Sequence, residues 1–404
     1  MDSRRIDSDS TVDMVFHLKW KNDGMAHTDG YQASRINIWR DYIPPSVLAE
    51  INGKQAGERF ELQLSSNDFF QEYAKQSLFK IKRQQFDPQA TPGTQASPAV
   101  GRFYPKGILK SVAGVFRANV QPFRLVHVNN GDMMVDFNHP LAGKELVLSG
   151  IVGKVENKKT ERGGSSVDWM EVLTNGPGMQ ARWQNQETEF FAAEAFRRDD
   201  ETPDTLFYGQ PRLVHHIDDT AQEMIKNTYG RFLKNDMDVL DLMSSWQSHL
   251  PENLSLRRLA GLGLNGIELK KNARLSEHVI QDLNLNPVLP FESDSFDAVV
   301  CTVSVEYLTN PLAIFEEVLR VLRTDGYFIV TFSNRWFPTK AIRLWKELHE
   351  FERMGMVLEY FLRSGGYKNL QTYSFRGLPR PHDDKYFPDL MYSDPVYAVW
   401  GQKR

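Results

Sequence analysis

Apolar residues along this chain change their repeat near its midpoint. Between residues 11 and about 155 they fall in short alternating runs: Val12 to Trp20, Arg59 to Leu64, Arg124 to Val128, Met133 to Phe137 and Glu145 to Val152. That is the period of half-buried strands. Asn22-Asp23-Gly24 and Asn129-Asn130-Gly131 separate such runs with turn residues. From His216 onward helical and strand patterns alternate instead, as a parallel sheet with crossover helices requires. Pro311 opens a helix in which Leu312, Phe315, Val318, Leu319 and Leu322 recur at helical spacing. Thr324-Asp325-Gly326 is expected to close it with Gly326 at a left-handed cap, before a buried strand from Tyr327 to Phe332.

Three stretches break the pattern. Residues 85 to 100, rich in Pro, Gln, Thr and Ser, read as a flexible excursion, and the charged, Gly-containing 156 to 166 as a linker. Residues 167 to 212 are irregular, with Gly176-Pro177-Gly178 forcing a turn. The expected organisation is a β-rich domain over 11–155, a linker and irregular connection over 156–205, and an α/β domain over 206–404. A hydrophilic linker between two periodicities predicts that the first domain folds independently.

A length of 404 residues suffices for more than one core. Lys and Arg total 48 against 52 Asp and Glu, so the net charge of −4 gives no general attraction to nucleic acid. The one cysteine, Cys301, lies in an apolar run and reads as a small buried hydrophobe. With no charged-then-apolar N-terminal segment and no long apolar span, a cytoplasmic protein without a membrane partner is expected.

The stretch Pro290-Phe291-Glu292-Ser293-Asp294-Ser295-Phe296-Asp297-Ala298-Val299-Val300-Cys301 resembles the class I S-adenosylmethionine (SAM) methyltransferases, type 11 in particular. The resemblance implies a Rossmann-like fold, a transferase and SAM as cofactor. Val239-Leu240-Asp241-Leu242-Met243-Ser244-Ser245-Trp246 stands at the first cofactor motif, with Met243, Ser244 and Ser245 where the family has glycines. Asp241 is then expected to face the SAM ammonium, and the hydroxyls and amides of Ser244 and Ser245 to hold its carboxylate at a helix start. In the next strand, Leu256 to Leu264, Gly263 replaces the acid that holds the ribose. Asn265 and Glu268 are the substitutes for it, although Asn265 reads equally well as a helix N-cap. In His278-Val279-Ile280-Gln281-Asp282-Leu283, Asp282 and the amide of Leu283 correspond to adenine contacts. Val303 falls in the motif below the sulfonium, where Ser304 or Glu306 stands in place of a frequent His and leaves the acceptor undefined.

Two further clusters are candidates for ligand contact. His215 and His216 precede a helix with Ala221, Met224, Ile225 and Tyr229 on one face, and Asp218 or Asp219 reads as its cap or as a catalytic acid. The histidine pair lacks metal-site spacing, so no metal is expected. Arg335, in Ser333-Asn334-Arg335-Trp336-Phe337-Pro338, lies beyond a strand's carboxyl end and is a candidate to hold an anionic acceptor.

The first half carries Val135-Asp136-Phe137-Asn138-His139-Pro140-Leu141-Ala142-Gly143-Lys144-Glu145-Leu146, which closely resembles the signature of SlyD-like FKBP prolyl isomerases. Ile51-Asn52-Gly53-Lys54-Gln55-Ala56-Gly57-Glu58-Arg59 and Ser66-Asn67-Asp68-Phe69-Phe70 are similar to neighbouring family segments. The resemblance implies an α+β FKBP-like domain with an insert-in-flap over about 76–138, and unfolded or proline-containing peptides as clients. Asp29 falls where the family has its pocket acid; Phe70 stands where a Tyr hydroxyl is usual, and Pro44, Val47 and Leu148 replace other pocket residues. The combined expectation is a methyltransferase acting on a small-molecule or peptide acceptor, fused to an isomerase or chaperone domain. The alternative is a noncatalytic peptide-binding scaffold with a degenerate SAM domain.

Overall fold

The computed structural model describes residues 4–64, 70, 72–88, 97–157, 160 and 162–404. The chain divides into two compact units. One comprises Met1–Phe190, Glu347–Gly355 and Phe375–Gly377; the other comprises Phe191–Lys346, Met356–Ser374 and Leu378–Arg404.

In the first unit, β1 (Ser10–Asn22) pairs antiparallel with β2 (Met25–Asn37) and with β8 (Leu146–Asn157), and β8 pairs with β3 (Arg59–Leu64). Asp23 and Gly24 both have positive φ, 49° and 79°, the geometry of a tight hairpin turn that follows strand twist. Val12, Met14, Phe16, Leu18 and Trp20 alternate inward along β1. β2 escaped the sequence reading because its inward positions are polar: His27 and Asp29 are both buried.

The core beneath this sheet takes Val47 and Ile51 from helix α1 (Pro45–Ile51), and also Trp169, Met170, Leu173 and Ala181. Three of those last four sit on helix α2 (Trp169–Thr174), whose N-cap Asp168 accepts from the amides of Met170 and Glu171. Trp169 Nε1 donates to Asp41 at 3.0 Å, which satisfies its buried polar end.

A second antiparallel sheet lies in sequence between β3 and β8. Its strands are β4 (Leu78–Lys82), β5 (Phe103–Pro105), β6 (Pro122–Val128) and β7 (Asp132–Asp136), in the order β4-β7-β6-β5. Ile81, Tyr104, Phe123, Leu125 and Val135 form its own core. Residues 66–69, 89–96 and 158, 159 and 161, from three stretches interpreted above, lie outside the described residues.

The second unit carries α3 (Asp204–Phe207), α4 (Asp219–Tyr229), β9 (Asp238–Leu242), β10 (Arg258–Gly263), α5 (Gly266–Lys271), β11 (Glu277–Ile280), β12 (Phe296–Thr302), α6 (Pro311–Val321) and β13 (Leu322–Phe332). Helices α7 (Arg343–Glu347) and α8 (Glu350–Ser364) and strands β14 (Tyr367–Arg376) and β15 (Val396–Lys403) follow in sequence. The strand order is β11-β10-β9-β12-β13-β15-β14. The first five strands run parallel and β15 antiparallel to β13. Every residue of β9 is buried, as both-face coverage demands. The order reverses between β9 and β12, where open α/β sheets place their ligand crevice.

Two local expectations fail. Helix α6 does not end at Gly326: Leu322 is already extended, and Asp325 takes the left-handed conformation (φ 64°) within β13. Gly326 is needed for space, since a Cβ there would lie 2.8 Å from the Arg323 oxygen and 3.0 Å from that of Asp297. Nor does a helix follow β9. Residues 243–257 run irregularly to β10, through Ser244, Ser245, Ser248 and Pro251, all poor residues for a helix interior.

Candidate active site

A solvent-open cleft with about 1210 Å³ of empty space lies at the carboxyl ends of β9 and β12. Its lining includes Asp241, Met243, Ser244, Ser245, Asn265, Glu268, Asp282, Leu283 and Val303, the nine positions singled out as cofactor contacts. Strand ends explain the gathering: β9 delivers Asp241, β10 and the start of α5 deliver Asn265 and Glu268, β11 leads to Asp282, and β12 ends beside Val303.

Asp241 is fully buried, and burial pushes its carboxyl up to about 7 against the pull of hydroxyl donors at Ser244 and Ser248. Met243 adopts φ 59°, so the backbone keeps the left-handed turn natural to glycine although the residue is methionine. Val303 is held at φ 46°, a costly state for a β-branched residue, by its amide's 2.8 Å bond to the Thr331 oxygen. Strain of this kind gathers at ligand sites.

The serine hydroxyls do not serve as donors to an incoming carboxylate. Ser244 Oγ donates to Asp241 at 2.6 Å, and Ser245 Oγ donates to Glu268 at 2.6 Å. With no helix after Met243, a macrodipole cannot assist either. The amides of Ser245 and Trp246 remain, bonded to no group among the described residues.

Asn265 is committed to capping α5. Its Oδ1 accepts from Ile267 and Glu268 amides at 2.9 and 3.2 Å, while Nδ2 donates to the Tyr208 and Gly209 oxygens. Glu268 accepts from the Arg212 amide at 2.6 Å as well as from Ser245. Gly263 cannot be the usual acid, because a Cβ there would sit 2.2 Å from the Ser244 oxygen. Among the described residues the Asp282 carboxylate accepts the Asn284 amide, at 2.9 Å, and so keeps acceptor capacity toward the cleft.

Asp218 caps α4, accepting the Ala221 amide at 3.0 Å and the Ser393 hydroxyl at 2.8 Å. Asp219 accepts the Gln222 side chain at 3.0 Å. Arg335 donates to Asp394 at 2.9 Å and stacks on Tyr386, outside the cleft lining. Ser304 lines the cleft but donates to the Thr302 oxygen, and Glu306 is buried.

Sequence reasoning missed Tyr208, Gln247 and His249. Tyr208 lies in the stretch read as irregular, and the other two follow β9 where a helix was expected. Among the described residues the Tyr208 hydroxyl, Gln247 Oε1 and His249 Nδ1 are buried without a hydrogen-bond partner, and all three residues line the cleft. Burial holds the His249 imidazole down to about 4 and therefore neutral. Buried orphan polar atoms of this kind are normally satisfied by a ligand or water. Around Tyr208, the rings of Phe207, Tyr307 and Phe337 lie at centroid distances of 4.9, 6.3 and 6.2 Å, and the Arg212 guanidinium stands 5.2 Å over Phe337.

The residues fit SAM. A buried acid at the end of β9 has the chemistry to pair with an ammonium, free loop amides that to hold a carboxylate, and Asp282 beyond β11 that to accept from a base amino group. The orphaned donors and acceptors complete a polar lining.

Several solved structures resemble the chain. A Haloferax volcanii putative methyltransferase in complex with the Trm112 activator is 16% identical, covering 45% of this chain and 90% of that one, with TM-score 0.33. A putative methyltransferase from Bacillus halodurans C-125 is 13% identical over 46% and 99%, with TM-score 0.32. The (4+2)-cyclase SpnF is 16% identical over 49% and 91%, with TM-score 0.35. None of the curated proteins matches the chain. Residues 257–330 match the family described as the methyltransferase domain, which supports a class I methyltransferase-like α/β fold and a methyltransferase function for the C-terminal half, with S-adenosylmethionine as cofactor.

Proposed function

We propose that the chain transfers the methyl group of SAM to an acceptor seated against Tyr208, Tyr307 and Phe337, and that its first unit is a SlyD-like FKBP domain. The observation that supports the first reading most is the convergence of Asp241, Asp282 and three orphaned polar atoms on one cleft at the strand-order reversal. The bound cofactor supplies an electrophilic methyl on a sulfonium. This chain's residues hold and align it, and close aromatic side chains keep water from the reacting centre. No general base is required where the acceptor is already nucleophilic.

Calorimetric titration with SAM and S-adenosylhomocysteine tests this. Both are expected to bind, and Asp282→Ala is expected to weaken binding by about 1–3 kcal/mol through loss of one charged hydrogen bond. Wild-type affinity no stronger than millimolar refutes the catalytic reading.

The FKBP reading is supported by the signature at 135–146 and by the separate sheet β4–β7 lying in sequence between β3 and β8. In that reading the domain docks rather than isomerises. Asp29 is only 4% exposed and accepts from Trp20 Nε1 at 2.8 Å and Gln180 Nε2 at 3.4 Å. Phe70 stacks on His139 at 3.9 Å, and the His139 Nδ1 accepts the Leu141 amide at 3.2 Å. Gly178 abuts Pro140 so closely that a Cβ would meet it at 2.7 Å. Residues 174–180 thus close on Asp29 and on the His139-Pro140 turn against which Phe70 stacks. A protease-coupled assay on an X-Pro peptide is expected to show no acceleration, with Phe70→Tyr equally inert. Acceleration abolished by Asp29→Ala means the pocket is open and working.

A further inference from the structure

The first unit contains a second polar cavity, open to solvent, with about 590 Å³ of empty space. Arg124 and Lys144 line it together with Asn22, Tyr73, Asp136 and His139. Arg124 is 7% exposed; its Nη2 donates to the Ala181 oxygen at 2.8 Å and its guanidinium lies over Phe103, but its Nε is buried without a partner among the described residues. Lys144 donates to the Asn22 side chain and stands 5.5 Å over the Trp20 ring. Among the described residues neither cation has a carboxylate within 4.0 Å.

The acids nearby are already occupied. Asp136, the one carboxylate lining the cavity among the described residues, accepts the Asn138 amide at 2.9 Å and its Nδ2 at 2.7 Å. Glu352 accepts the Phe103 amide at 2.8 Å and lies 3.7 Å from Arg102. Asp23 acts on Lys144 only at longer range. Burial pushes the His139 imidazole down to about 4, so it adds no charge near neutral pH. Tyr73 has its hydroxyl raised by burial and by Asp136, and stays neutral.

Buried Arg124, half-buried Lys144 and Arg182, which stands 4.0 Å from Glu187, face one satisfied carboxylate in the lining and leave the cavity net positive. A buried charge without a counterion is costly, and a guanidinium beside a lysine suits an anion with two oxygens. We propose that this cavity binds a carboxylate, held by Arg124 and Lys144. The Lys144 ammonium is held down to about 8 by burial and by repulsion from Arg124, the strain that a bound anion relieves.

The carboxylate belongs to a free small molecule or to a peptide C-terminus, and calorimetry on the intact protein separates them. The titrants are acetate, an acetylated dipeptide with a free C-terminal carboxylate, the same peptide as its C-terminal amide, and inorganic phosphate. At least one carboxylate is expected to bind, with acetate marking the small-molecule source and the peptide acid alone marking the peptide source. Lys144→Gln is expected to weaken it by about tenfold or more, and Lys144→Arg to retain it. Because substitution in a buried site can disturb folding, reductive methylation of Lys144 in the unaltered protein, mapped by mass spectrometry, gives an independent readout. The bound carboxylate is expected to slow that modification at least about tenfold. No binding at about 10 mM with Lys144 unprotected overturns the site. Tighter binding of phosphate, or equal binding of the peptide amide, overturns the carboxylate assignment.

Discussion

Asp241→Asn is expected to remove most of the SAM affinity while making the ligand-free protein more stable at pH 8. The two effects have one cause. The Asp241 carboxyl is raised to about 7 chiefly by burial, so the folded protein without ligand prefers it protonated. A group whose folded value exceeds its unfolded value of roughly 3.9 destabilises the fold only when ionised. That penalty is absent below the unfolded value, grows as pH rises and is complete above about 7. The gap between those two values corresponds to a ceiling on the order of 4 kcal/mol. The amide introduced by Asp241→Asn escapes the penalty and still accepts the Ser244 hydroxyl. The ammonium of SAM, however, needs the ionised carboxylate, and its loss costs about 1.5–3 kcal/mol, or roughly ten- to a hundredfold in affinity. In the unaltered protein, SAM affinity is expected to fall by about tenfold between pH 8 and pH 6, as protonation competes with binding. The variant should show a flat profile over that range. Calorimetry at the two pH values and thermal melts at pH 8 check both halves. A flat wild-type profile refutes Asp241 as the ammonium partner.

Sheet composition and cleft position were legible because their signals are local in sequence. Val239 to Leu242 and Ala298 to Cys301 are buried runs because their strands are covered on both faces. An acid at the end of such a run, Asp241, can be placed without knowing its partners, whereas Asp282 follows β11, a mostly exposed strand. What could not be read was non-local. Asn265 is a cap because Tyr208 and Gly209 carbonyls happen to meet its amide from 57 and 56 residues away. The serine hydroxyls turn inward because Asp241 and Glu268 are there to receive them. His249 and Gln247 enter the cleft only because the helix expected after β9 is absent, and no periodicity announces a missing helix in a segment of polar residues. In the first unit, β2 failed the alternation test since its inward side chains include His27 and Asp29. Asp29 is held by Trp20 and Gln180, and His27 stacks on the Trp20 ring, so neither position needs an apolar residue.

Ending the chain at residue 156 is expected to abolish folding of the first unit, although the change of periodicity and the hydrophilic stretch 156 to 166 suggest a natural boundary there. The core that contains Phe16, Leu18, Trp20, Leu141 and Leu148 also contains Trp169, Met170, Leu173 and Ala181. Removing a buried Leu or Met side chain costs about 2–5 kcal/mol and a Trp about 3–5. Three such losses approach or exceed the roughly 5–15 kcal/mol that typically holds a domain together. Polar groups would be stranded as well: Asp41 would lose the Trp169 indole donor, and Asp29 the Gln180 amide. Later segments belong to the same unit, since Phe351 packs against Gly176, where a Cβ would lie 2.3 Å from its ring, and Glu352 accepts the Phe103 amide. An amide NMR spectrum of residues 1–156 is therefore expected to be collapsed and undispersed. In the full-length chain, Trp169→Ala and Leu173→Ala should each lower the unfolding midpoint of this unit, with hydrogen exchange accelerating first in β1 and β8. A dispersed spectrum and a cooperative melt from the 1–156 fragment would instead show that α2 and the 176–181 turn are ornament on a complete core, and that residues 174–180 can leave the covered face without unfolding it.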